Sequence, residues 1–309
     1  LKKKVWIDTD LSVGMKRQHR EGFCDVDDGY AVLQLMKSEL VEILGISSVF
    51  GNTDIDNAFR LSKFMSDEFY RGEIPVHRGA AKAIDLKKVE SNPAVEALAA
   101  ALRKQKLTIM AIGPATNIGL LLLLYPELKF QIEEVVLVAG RRKPSDFFLI
   151  GTAGNHAPDL NFDLDNDAFR AMFEAKVNIT LCPFEISNKV WIKEEDLQRL
   201  ADADAGAQWL AKHSQPWLTQ WLDQGAQGFN PFDVLASHYI IKPSDIISEE
   251  LHAHLEIHPN DQVGKNQREA FKQYLICDHS PGSKLRYCYD VVDGYHEKLI
   301  DSLTKDLTR

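Results

Sequence analysis

Apolar residues in the first two thirds of the chain fall in short solid runs, and between the runs they recur every three or four positions. KKVWIDTD, VEILGISSVFGN, KLTIMAIGPATN, EEVVLVAG and VNITLCPFE read as buried strands. DDGYAVLQLMKSEL, NAFRLSKFMSDEF, NIGLLLLLYPEL and DNDAFRAMFEA read as the helices between them. Strands alternating with helices predict an α/β fold, an open, mostly parallel sheet with helices on both faces. The last third departs from this rhythm. DAGAQWLAKHSQPWLTQWLDQG predicts one longer helix carrying three tryptophans, and from about His252 the tail reads as irregular strands closed by a helix over HEKLIDSLTKDL. No repeat and no Pro/Gly/Ser-rich linker divides the chain, so residues 1–309 are expected to form a single domain.

Size and charge narrow the function. A chain of 309 residues with 45% hydrophobic content can bury a large core. Its longest apolar run falls short of the roughly 20 residues that a spanning helix needs, and no basic-then-apolar signal segment opens it. A net charge of −9 without a Lys/Arg cluster argues against nucleic acid or an anionic membrane as partner and favours a small neutral or cationic ligand. Cys24, Cys182, Cys277 and Cys288 lack CxxC spacing and read as reduced thiols of a cytoplasmic protein, with no zinc site.

The polar residues of interest sit where the predicted strands end, which is where open parallel sheets bind ligands. The first strand ends in Asp8 and Asp10, the second in Gly51 and Asn52, the next in GPATN, and VVLVAG leads toward GNHAPDLNFDLD. Singly, each has an ordinary explanation. Asp27 and Asp28 suit a helix N-terminus, and Asp8, Asp10, Asn52 and Asn161 suit turns. Jointly, several carboxylates and asparagines at separate strand ends, with no basic residue at those ends to neutralise them, call for a hard cation with oxygen ligands such as Ca²⁺.

These residues resemble the calcium-dependent nucleoside hydrolases of the inosine-uridine type. The family pattern D-x-D-P-G-x-D-D after a first strand is similar to Asp8-Thr9-Asp10 followed later by Asp27-Asp28. The family's GN resembles Gly51-Asn52, its LGPLTNIAL resembles IGPATNIGL, its GN-x-x-P…EFNF…DPEA resembles GNHAPDLNFDLDNDA, and its HDPLAVA resembles PFDVLA. The resemblance implies a Rossmann-like domain, a bound Ca²⁺ and hydrolysis of the N-glycosidic bond of ribonucleosides. By the same resemblance, Asp10, Asp28, Asp233 and the carbonyl of Ile112 would hold the metal, with Asp10 also the general base. Asp27, Asn52 and Asn161 would bind the ribose hydroxyls, Asn155 and Asp159 would lie near its 5′ end, and Asp8 would support the ligands. The expected partner is a small-molecule ribonucleoside, and the expected assembly a homodimer or homotetramer.

Three departures stand out. LSVGMKRQHREGFC is an insertion between Asp10 and Asp27, and its polar, basic character predicts a mobile flap over bound ligand. Asp159 stands in a shortened segment where the family has Glu. Phe232 precedes Asp233 where many members have a proton-donating histidine, which makes Phe232 a candidate base-contacting residue. Trp209, His213, Trp217 and Trp221 share a helix face at three-to-four-residue spacing, so His213 is the candidate replacement acid. Two other readings stay open: a haloacid-dehalogenase-type phosphatase, which also carries D-x-D after a strand, and a non-catalytic nucleoside-binding protein on the same scaffold.

Overall fold

A computed structural model describes residues 2–18, 21–70, 72–152, 155–262 and 269–305, the side chain of Asn155 excepted. In chain order its strands are β1 (Lys3–Thr9), β2 (Val41–Ser48), β3 (Val76–Arg78), β4 (Leu107–Ala111), β5 (Ile132–Leu137), β6 (Phe148–Ile150), β7 (Asn155–Ala157), β8 (Ile179–Leu181), β9 (Ile246–Pro259), β10 (Phe271–Asp278) and β11 (Ser283–Val291). The helices are α1 (Asp27–Met36), α2 (Ile55–Phe69), α3 (Pro93–Lys104), α4 (Thr116–Leu124), α5 (Leu160–Leu164), α6 (Asn166–Ala175), α7 (Phe184–Ser187), α8 (Glu194–Ala201), α9 (Ala205–Leu222), α10 (Val234–Ile241) and α11 (Tyr295–Thr304).

The main sheet has nine strands in the order β10-β9-β11-β8-β5-β4-β1-β2-β3. From β11 to β3 every neighbouring pair is parallel, and β9 runs antiparallel to both β10 and β11. The central strands are solid apolar runs because both of their faces are covered. Val5 and Ile7 of β1 enter one core, built with α1, α9, α10 and α11. Trp6 between them enters the other, built with α3, α4 and α6. This is the expected mostly parallel, Rossmann-like sheet with helices on both faces. The tail differs from expectation: its strands are regular, and β9 with β10 and β11 forms an antiparallel edge. β3, α3 and the β6–β7 hairpin are additions to the predicted elements, and Asn92 caps α3 by accepting from the amides of Ala94 and Val95.

The strand order fixes where a ligand can sit. From β1 the chain steps one way to β2 and β3, and later returns to β4, β5 and β8 on the other side. A crevice therefore opens beyond the carboxyl ends of β1 and β4, the switch point at which open α/β sheets bind ligands. Asp10 directly follows β1, and Ile112 directly follows β4.

Candidate active site

At the end of β1 the backbone holds Asp8 and Asp10 under the sheet's rim, and both are fully buried. Asp8 Oδ1 accepts hydrogen bonds from Ser47 Oγ of β2 and, at 2.7 Å, from Asn117 Nδ2 of the GPATN segment. Asn117 in turn accepts from the Ala80 amide at 2.9 Å, so this one side chain ties the ends of β1, β2 and β3 together. Asp10 Oδ2 accepts from the Asn52 amide at 2.6 Å. Two glycines make room for that carboxylate. A Cβ on Gly51 would fall 2.0 Å from Asp10 Oδ2, and one on Gly113 would lie 3.0 Å from Asp10 Oδ1. Alanine at Gly51 would displace the acid, whereas alanine at Gly113 would first press on Val49, whose methyl stands 2.7 Å away.

The first turn of α1 brings Asp27 and Asp28 to the same place. Thr9 Oγ1 donates to Asp28 Oδ1, and the Asp233 amide, at the start of α10, reaches Asp27 Oδ2 at 3.4 Å. Each of the four aspartates Asp8, Asp10, Asp27 and Asp28 keeps one buried oxygen with no hydrogen-bond partner. Acceptor oxygens left bare in a low-dielectric interior are costly. Burial, and then the neighbouring carboxylates, accordingly push the carboxyl groups upward: Asp28 to about 7, and Asp10, Asp27 and Asp233 well above the usual range. Burial alone, partly offset by Ser47 and Asn117, raises Asp8 to about 7.

Asp25, one of five aspartates that the sequence carries from the end of β1 to the start of α1, belongs to this group, although the resemblance assigns it no ligand role. One carboxylate oxygen from each of Asp25, Asp27 and Asp28 lies within 4.8 Å of the other two, a cluster able to hold a metal ion. The sequence offered one cue: Asp25 precedes Asp27 by two residues, so the helix entry carries three acids rather than two. Of the expected metal ligands, Asp10, Asp28 and Asp233 feel each other's charge. The Ile112 carbonyl lies nearby and accepts from Asn161 Nδ2 at 3.2 Å.

Beside the carboxylates opens a cavity of about 730 Å³. Asp27, Asn52, Ile112, Asp159, Asn161, Phe232 and Asp233 all line it, so the structure brings these expected site residues together. Asn161 is held by two backbone carbonyls, those of Ile112 and Val138 (3.1 Å), which fixes its amide. Asp159 accepts from the Gly140 amide at 2.8 Å. Asn155 lies in β7, and its side chain is outside the described residues. The same cavity is lined by a chain of aromatic rings. Phe148 stacks on Phe184 at 4.3 Å, Phe184 lies 5.9 Å from Phe232, Phe232 6.1 Å from Trp221, and Trp221 6.1 Å from Trp217. Phe148 and Phe184 carried no signal in the sequence, because only the folding of distant segments brings them here.

His213 is not among the cavity's lining residues. Its Nδ1 sits 2.8 Å from the Trp209 carbonyl, and its ring packs over Gly14. The histidine that does line the cavity is His156, which went unnoticed in the sequence; it stacks on Phe147 at 4.4 Å and bonds the Asp261 carbonyl through Nδ1 at 3.0 Å. Nor does the insertion stand apart as a free flap. Its described residues form a hairpin, with Lys16 bridged to Phe23, the Arg17 amide on the Gly22 carbonyl (3.0 Å) and the Cys24 amide on the Met15 carbonyl (2.9 Å). Leu11 and Val13 are buried at its base, the Phe23 amide donates to Gln220 of α9 at 2.5 Å, and Gln18 donates to Asp54. Arg17 and Gly22 thereby become part of the cavity wall.

Cys24, Cys182, Cys277 and Cys288 are all buried, and no helix among the described residues is long and apolar enough to cross a membrane.

Comparison with known proteins agrees with this geometry. A probable ribonucleoside hydrolase of Dictyostelium discoideum is 24% identical over 97% of this chain and 94% of its own length. The pyrimidine-specific ribonucleoside hydrolase RihA of Shewanella oneidensis is 30% identical over 56% of this chain, and the match spans 60% of that relative's length. Among solved structures, a purine-preferring ribonucleoside hydrolase from Gardnerella vaginalis superposes with a TM-score of 0.75 at 18% identity, covering 98% of each chain. The profile described as "Inosine-uridine preferring nucleoside hydrolase" matches residues 5–293. By that match the chain belongs to the inosine-uridine preferring nucleoside hydrolase family and is an N-ribosyl hydrolase.

Proposed function

We propose that the protein hydrolyses the N-glycosidic bond of small-molecule ribonucleosides to ribose and free base, with Ca²⁺ held at the acidic rim. One observation carries this reading: four buried carboxylate oxygens without donors gather at the sheet's switch point beside a cavity walled by aromatic rings. An all-oxygen donor set with excess negative charge fits a hard cation. Asp10, Asp28, Asp233 and the Ile112 carbonyl are the ligands in this reading, and Asp25 and Asp27 add charge beside them. When bound, the cation supplies Lewis acidity that favours water as a nucleophile at neutral pH.

The chain's own groups do the rest. Asp10, fixed by the Asn52 amide, takes the proton from water attacking C1′. Asp27, Asn52 and Asn161 hold the ribose hydroxyls, and Asn155 and Asp159 receive the 5′ end. Their anionic surroundings stabilise the positive charge that builds on the sugar in an oxocarbenium-like transition state. The base stacks against the aromatic rings of Phe232 and Trp217. Incubating the protein with a panel of nucleosides in Ca²⁺ and separating the products tests this directly. Free base and ribose are expected. No release from any nucleoside, or full turnover after exhaustive chelation with no metal found by elemental analysis, overturns it.

A further inference from the structure

Resting on the nucleoside-hydrolase reading, we infer that Arg17 and the indole N–H of Trp221 stabilise the departing base as an anion, in place of a histidine acid. The residue before Asp233 is Phe232, which has no proton to give. His213 is engaged away from the cavity. Arg17 lines the same cavity as Trp217, Trp221 and Phe232, and its guanidinium carbon lies 5.7 Å from the centre of the Trp217 ring. Its placement is built rather than accidental, because the hairpin carrying it is fastened to α9 through Gln220 and to the cap of α2 through Gln18 and Asp54.

Trp221 supplies an independent observation. Its side chain is 1% exposed, its ring borders the cavity, and its Nε1 has no hydrogen-bond partner. A buried indole N–H usually finds an acceptor, and leaving one bare is costly. A base with ring nitrogens and exocyclic oxygens provides that acceptor.

The chemistry balances without a proton donor on the protein. Water's oxygen bonds to C1′ as the C1′–N bond breaks, and the water proton passes to Asp10. The electron pair of the broken bond stays on the base, where the guanidinium and the indole N–H receive the charge. The base anion takes its proton from solvent on release. A guanidinium stays charged at every working pH, and a fixed donor aimed at developing charge is among the stronger catalytic devices in a water-poor site.

The test compares inosine with p-nitrophenyl riboside, whose leaving group is already a stable anion, on one Ca²⁺-loaded preparation. Arg17→Ala should lose about 10²–10³-fold in kcat on inosine, the scale of removing one such donor, while nitrophenolate release is retained. Free guanidinium should restore part of the lost inosine turnover, and Arg17→Lys should keep part of it. Trp221→Phe should also lose inosine turnover selectively, and His156→Ala should not. Equal losses on both substrates or no loss in Arg17→Ala would overturn the inference, as would a selective inosine loss in His156→Ala instead. A wild-type protein that releases neither inosine's base nor nitrophenolate defeats the nucleoside-hydrolase reading itself, a result distinct from either.

Discussion

Asp28 and Asp261 are both aspartates with buried side chains, and the fold treats them in opposite ways. Asp261 has cations beside it: Arg141 at 3.0 Å and Lys272 at 2.8 Å, with Lys272 also 2.6 Å from Asp163. Arg141 is further held between the rings of Phe148 and Tyr274, at 4.7 and 4.8 Å. Burial alone would raise Asp261, yet Lys272 and Arg141 keep it below the usual carboxylate range. Asp28 has the acids Asp25 and Asp233 and the hydroxyl of Thr9 beside it, and burial with the charge of Asp25 pushes it up to about 7. A paired cluster closes on itself and fastens the β6–β7 side of the cavity to β10. An unpaired one is incomplete without something positive from outside. Arg17 offsets part of the rim's charge, at Asp25, so negative charge marks a binding site here where the protein's own cations leave most of it unneutralised.

The comparison breaks most sharply under mutation. Asp10→Ala removes the proposed base and one cation ligand, and loss of general-base help alone costs about 10²–10⁴-fold. We expect steady-state turnover to fall at least that far, with Ca²⁺ readdition after chelation restoring the wild type but not the variant. Asp261→Asn should act through stability. Removing one partner of a buried ion pair typically costs about 3–5 kcal/mol, read as a lowered urea midpoint, while kcat of the protein that remains folded changes little. A large kcat loss in Asp261→Asn with unchanged stability would mean that the paired cluster belongs to the chemistry.

A smaller change probes the room kept around Asp10. Gly51→Ala places a methyl 2.0 Å from Asp10 Oδ2. The acid must shift, and the expected result is reduced turnover and weaker Ca²⁺ dependence, measured by metal titration of activity. Wild-type Ca²⁺ affinity in this variant would show that Asp10 is not a ligand.

Much of the acidic rim was legible because strand ends are marked by simple patterns. An apolar run that stops at Asp8 and Asp10, a GN after the next, and GPATN after a third already place these groups on one edge of a parallel sheet. Asn52 and Asn161 followed from the same ordering, whereas Asp233 came only from the resemblance of PFDVLA to the family's HDPLAVA. What stayed hidden depends on long-range packing. No local pattern says that Phe148 and Phe184 meet Phe232, that Phe23 of the insertion folds back onto Gln220, or that β9 reverses direction. Arg141 and Lys272 were also invisible as neutralising partners, since Asp261 lies 120 residues from one and 11 from the other.

The two clusters should also respond oppositely to pH. The rim's folded values, about 7 for Asp8 and Asp28 and about 6 for Asp25, exceed the 3.8 of a free carboxylate. Between roughly pH 4 and 7 the folded state then binds more protons than the unfolded one, so this cluster's contribution to stability falls as pH rises through that window. Asp261, with its lowered value, contributes stability that is present above the free-carboxylate value and lost as pH drops through its folded one. Cation binding needs the rim deprotonated. Thermal melts with chelator and with Ca²⁺ should therefore diverge more at pH 8 than at pH 5, by about 2.7 kcal/mol at a hundredfold excess over Kd. An equal Ca²⁺ shift at both pH values would remove the rim as the binding site.

The smallest expected effect concerns His213, and it sharpens the boundary between packing and chemistry on α9. Trp209, His213, Trp217 and Trp221 lie four residues apart, and at 3.6 residues per turn each such step drifts by about 40° around the helix. The stripe is therefore not one face. Trp209 packs on Phe64 and Phe69 of α2 at 5.4 and 5.6 Å, whereas Trp217 and Trp221 reach the cavity. His213 falls on the packing side of that drift, 4.9 Å from Trp209 between ring centres and against Gly14 at the root of the hairpin. His213→Ala should thus cost on the order of 1 kcal/mol in stability, as typical substitutions do, and leave the ratio of inosine to p-nitrophenyl riboside turnover at its wild-type value. A selective loss on inosine would return the proton-donor role to His213 and extend the chemical face of the helix by one turn.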